Sequence, residues 1–75
     1  MLRNPKFFET PSEARDAMKC ALRERPVLHS VVDIRVRSDP EEEKWFGIVS
    51  LDTDSVANID HCRSLLPEFR VIGAP

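Results

Sequence analysis

The chain has 75 residues, 41% hydrophobic and 32% charged, with a formal net charge of −2 at pH 7. That apolar content excludes a disordered chain, the lack of any apolar run near ~20 residues excludes a helical membrane span, and the lack of a basic excess argues against a non-specific nucleic-acid coat. So short a chain builds one small domain around one core, and few enzymes fit in it.

Near the start, Lys6-Phe7-Phe8-Glu9 reads as a brief strand, limited by Pro5, which has no N–H to donate. Thr10-Pro11-Ser12-Glu13 then signals a helix start: a capping hydroxyl, a proline suited to the first helical position, and an acidic residue where a capping box wants one. The helix is expected over about 11–25. Ala14, Ala17, Met18, Ala21 and Leu22 form its apolar face, and Pro26 stops it.

Over 27–37 apolar residues alternate with polar ones. Leu28, Val32, Ile34 and Val36 point one way, while His29, Asp33, Arg35 and Arg37 point the other, as in a strand with one buried face. Ser38 to Glu43 is a polar turn that starts at Asp39-Pro40 and carries three glutamates at its tip. A second strand follows from Lys44 to Leu51. Pairing Arg37 with Lys44 sets Val36, Ile34 and Val32 beside Trp45, Gly47 and Val49, so Trp45 is expected to be the largest core side chain.

Asp52-Thr53-Asp54-Ser55 offers capping acceptors for a second helix, whose stripe of Val56, Ile59, Cys62, Leu65 and Leu66 ends at Pro67. Phe69 to Ile72 forms a last short strand. The order is therefore strand, helix, strand, strand, helix, strand. Burying each apolar face at once lays both helices on one face of an antiparallel sheet, a ferredoxin-like α+β sandwich. Should the first segment not be a strand, three strands remain, with an edge that a second copy of the chain could complete.

Residues that could carry chemistry have structural roles instead. Asp52 and Asp54 sit where a helix N-terminus wants acceptors, and the glutamates at the hairpin tip are solvated charge. His29 and His61 have no nucleophile placed beside them. The serines sit in no nucleophile elbow, and the two glycines, Gly47 and Gly73, cannot build a phosphate-cradling loop. Cys20 and Cys62 lack the spacing of a zinc site or a disulfide scaffold, so they are read as reduced thiols in or beside the core of a cytoplasmic protein. No catalytic residue, cofactor or metal is expected.

Lys44-Trp45-Phe46-Gly47-Ile48-Val49-Ser50-Leu51 resembles the octapeptide on the third strand of the RNA recognition motif. Lys44, Phe46, Gly47 and Val49 match it, Ser50 fills its free position and Leu51 stands in for the closing aromatic. Trp45 replaces a glycine, and Ile48 replaces the second stacking ring. The resemblance implies a sheet face on which a base stacks on Phe46 while cations hold phosphates.

The residues alone place Lys44, Phe46 and Ile48 on the side of the sheet away from the helices, with Arg35 and Arg37 beside them and Val31 extending the apolar patch. Such a face, or a sheet edge, suits a protein partner equally well. The function expected is a small non-catalytic interaction module, a homodimer, with a minimal single-stranded RNA-binding domain as the alternative.

Overall fold

The computed structural model describes residues 5–25, 27 and 31–74. Helix α1 (Pro11–Glu24) opens on Thr10, whose Oγ1 accepts a hydrogen bond from the Glu13 N–H at 3.1 Å, and it buries Ala14, Met18 and Ala21. Strands β1 (Val31–Asp39) and β2 (Lys44–Leu51) form an antiparallel hairpin. Helix α2 (Val56–Leu65) is capped by Ser55, which accepts from the Asn58 N–H at 3.4 Å, while the flanking Asp52 and Asp54 stay exposed. Strand β3 (Arg70–Ile72) completes a sheet of order β1-β2-β3.

The sheet is mixed, not antiparallel throughout. Ile48, Val49 and Ser50 of β2 pair in parallel with Arg70, Val71 and Ile72. In the ferredoxin-like arrangement a complete first strand stands between these two, antiparallel to both. Here, among the described residues, the leading segment makes one bridge, in which Phe8 and Trp45 exchange backbone hydrogen bonds of 2.6 and 2.9 Å. The Lys6 N–H donates instead to the Glu68 carbonyl at 2.8 Å, and Pro5 has no N–H with which to extend a ladder. With that place unfilled, the crossover through α2 brings β3 directly onto β2.

The hairpin differs from expectation in register but not in facing. Asp39, not Arg37, lies opposite Lys44, so Val36 meets Gly47, Ile34 meets Val49, Arg37 meets Phe46 and Arg35 meets Ile48. The cause is the turn. Asp39 Oδ1 accepts from the Glu41 and Glu42 N–H groups at 2.8 and 3.2 Å, and Glu43 adopts φ 55°, so the strand runs on through Ser38 and Asp39. A slide of two residues leaves every side chain on its expected face.

A bulge does change the facing at the start of β1. Val31 pairs with Leu51 but Asp33 pairs with Ser50, so two steps on β1 match one on β2. Val31 consequently packs against the core and Val32 is 60% exposed, the reverse of the simple alternation. Leu28 and His29, read above as the start of this strand, lie outside the described residues.

One core joins both helices to one sheet face. Met18 and Ala21 from α1, Cys62 from α2, and Leu66, Phe69, Val49, Leu51 and Val71 bury one another. Three expectations fail here. Trp45 is only half-buried and stands outside this cluster, because it lies at the hairpin end of β2, beside the short Phe8 segment. Val56 opens α2 and is 72% exposed. Of the two thiols, Cys62 is in the core but Cys20 is exposed, its Sγ 3.6 Å from Glu24 Oε1.

A long-range clasp closes the molecule. Past the end of α1, Arg25 donates from both terminal nitrogens to Glu68, at 2.6 and 2.7 Å, and from Nη1 to the Leu65 carbonyl at 3.0 Å. It ties the end of one helix to the turn between α2 and β3.

Candidate interaction surfaces

Period-two alternation divides the sheet cleanly. Ile34, Val36, Gly47, Val49 and Val71 face the helices, which leaves Arg35, Arg37, Phe46, Ile48, Arg70 and Ile72 on the other side. Lys44 shares that parity, and its Nζ lies 3.4 Å from Glu9 Oε1. Of the residues singled out in the sequence, Arg35, Arg37, Lys44, Phe46 and Ile48 are therefore brought together. Val31 is not, because the bulge turns it to the core.

The patch is not bare, as the sequence suggested. Phe46 and Ile48 are each 8% exposed although the described helices pack on the other face of the sheet. Phe7 stands edge-on to the Phe46 ring at 6.2 Å and 89°, and the Arg70 guanidinium lies 5.0 Å from the ring centroid. Phe7, Arg37, Pro40, Phe46 and Arg70 line a shallow cleft of about 310 Å³. Arg35 is held by Asp33, Nε to Oδ2 at 2.6 Å, whereas Arg37 and Arg70 form no ion pair among the described residues.

Arg70 was missed in the sequence reading. Its alternation with Phe69 and Val71 was visible, but its arrival beside Phe46 depends on β3 pairing directly with β2. No protein-family model matches this chain, and no curated protein or solved structure is significantly similar to it. The surfaces therefore rest on their own geometry.

The second surface is an edge. β1, nine residues long, ends the sheet, and among the described residues nothing pairs with its outer side. Ile34 and Val36 pack on the core yet stay only half-buried. Among the described residues no group of His, Cys, Asp and Glu side chains converges as metal ligands would, and no helix is long and apolar enough to cross a membrane.

Proposed function

We propose that this chain is a non-catalytic interaction module of ferredoxin-like architecture, and that it works as a homodimer joined through the outer edge of β1. The observation that carries this reading is the long edge strand, uncovered among the described residues, with two core-facing side chains left half-open beside it. An edge of this kind presents a row of backbone donors and acceptors, and a second β1 satisfies them while extending the apolar layer. A chain too short for a large core gains stability by association.

Light scattering is expected to return a mass near twice 8.6 kDa. Val32→Lys, at an exposed position on the edge, is expected to return the monomer with its fold intact. A monomeric parent protein at high concentration overturns the reading.

A second reading, single-stranded RNA binding on the helix-free face, draws on one further observation: Arg70 joins Arg35, Arg37 and Lys44 around Phe46. A base would take the place of the Arg70 guanidinium over the ring, with the arginines turned to phosphates. Titration with a short single-stranded RNA is then expected to show binding that weakens with added salt and again in Arg37→Ala. No binding at low salt discards it.

A further inference from the structure

We infer that the two-fold axis of the β1-to-β1 dimer passes at Ile34, so that Asp33 and Arg35 of one copy face Arg35 and Asp33 of the other in a closed ring of four alternating charges. This rests on the edge-dimer reading above and specifies how it is built.

Two antiparallel strands related by a two-fold axis pair residues that share a face, so the axis must fall on a residue rather than between two. From its bulge β1 runs on as Asp33 to Asp39, and an axis at Ser38 or Asp39 would overlap no more than three of the strand's nine residues, so the positions to compare are Asp33, Ile34, Arg35, Val36 and Arg37. An axis at Asp33, Arg35 or Arg37 sets that charge directly against its own copy. An axis at Val36 sets Arg35 against Arg37 and Asp33 against Asp39. Directly opposed side chains stand ~5 Å apart, where like charges repel. Of these five, only the axis at Ile34 has no like-charge opposition. It pairs Ile34 with Ile34 on the core face and Asp33 with Arg35, twice, on the other.

The ion pair already present within each copy fits this arrangement. Arg35 Nε lies 2.6 Å from Asp33 Oδ2 with both side chains on the helix-free face, 64% and 44% exposed. Adding the second copy brings the same two charges into register across the strands, so each carboxylate lies between two guanidinium groups and each guanidinium between two carboxylates. The ring is neutral, and it sits at the strand centre, where a register slip would break it.

Charge reversal tests the inference, because both side chains are exposed and their replacement leaves the core untouched. Asp33→Arg and Arg35→Asp are each expected to weaken self-association about tenfold or more in sedimentation, since every substitution acts twice across the axis. Mixing the two variants is expected to restore the dimer as a heterodimer, all-positive against all-negative. The double variant Asp33→Arg/Arg35→Asp is expected to dimerise with itself. Should Arg35→Asp alone remain dimeric, or the double variant stay monomeric while the parent is a dimer, the axis lies elsewhere and this inference falls although the edge dimer stands. A parent protein that never dimerises removes the reading on which it rests.

Discussion

Gly47→Val is expected to destabilise the fold by about 2 to 3 kcal/mol, a large share of what so short a chain commands. Gly47 lies on the helix-facing side of β2, opposite Val36. Its backbone does not need glycine for a positive φ, since none of the described glycines has one. The constraint is close approach. A Cβ at this position would stand 2.7 Å from Met18 Sδ and 2.9 Å from Phe69 Cδ1, both side chains of the core. Met18 is fully buried, so it can move only by pushing its neighbours. Met18→Ala alone should cost about 2 to 5 kcal/mol through the cavity it leaves. The double variant Gly47→Val/Met18→Ala should cost less than the two singles together, because the added valine fills part of that cavity. Urea denaturation of the four proteins reads this directly. Strict additivity would show that α1 does not press on β2 at Gly47.

Arg25→Ala should lower stability by roughly 1 kcal/mol at neutral pH, and that loss should shrink in acid to what the bond to the Leu65 carbonyl supplies. The pair is bidentate, which favours it, but its two side chains are 32% and 30% exposed, so water screens much of the attraction. Hydrogen bonding from Arg25 holds the Glu68 carboxyl below its ordinary range, and the reciprocal bond holds the Arg25 guanidinium above its own. A carboxyl depressed in the folded state stabilises at pH above its unfolded value of ~4.3, and that contribution is lost as pH falls through the folded value. A guanidinium raised in the folded state loses its contribution only in strong alkali. The gap between the denaturation midpoints of the parent and Arg25→Ala should therefore be widest at pH 7 and narrow as pH falls below the unfolded carboxyl value of ~4.3. A gap unchanged in acid would mean that Arg25 acts through the Leu65 carbonyl and the packing of its stem, not through Glu68.

Local chemistry made much of this fold legible. Thr10, Ser55 and Pro67 mark helix ends by the hydrogen bonds their neighbours need or lack, and the structure ends its helices there. Alternation assigned the faces of β2 correctly, because a slide of two residues cannot change them. What resisted reading was set at a distance. The bulge that turns Val31 inward depends on the partner strand, not on its own residues. Arg25 and Glu68 lie 43 positions apart and share no motif. Trp45 follows the core parity, but no periodicity says how far a helix reaches along the sheet. The direct pairing of β3 with β2 put Arg70 over Phe46, which no local pattern anticipates.

The single bridge at Trp45 gives the molecule an optical gauge. The chain has one tryptophan and no tyrosine, so near-ultraviolet emission comes almost wholly from that indole. Its main chain holds the leading segment through Phe8, next to the bond from Lys6 to the Glu68 carbonyl. The colour and quenching of that emission therefore report the attachment of residues 6–8 separately from melting of the core, which far-ultraviolet dichroism follows. Two signals that part company on heating would mark the leading segment as detaching before the rest.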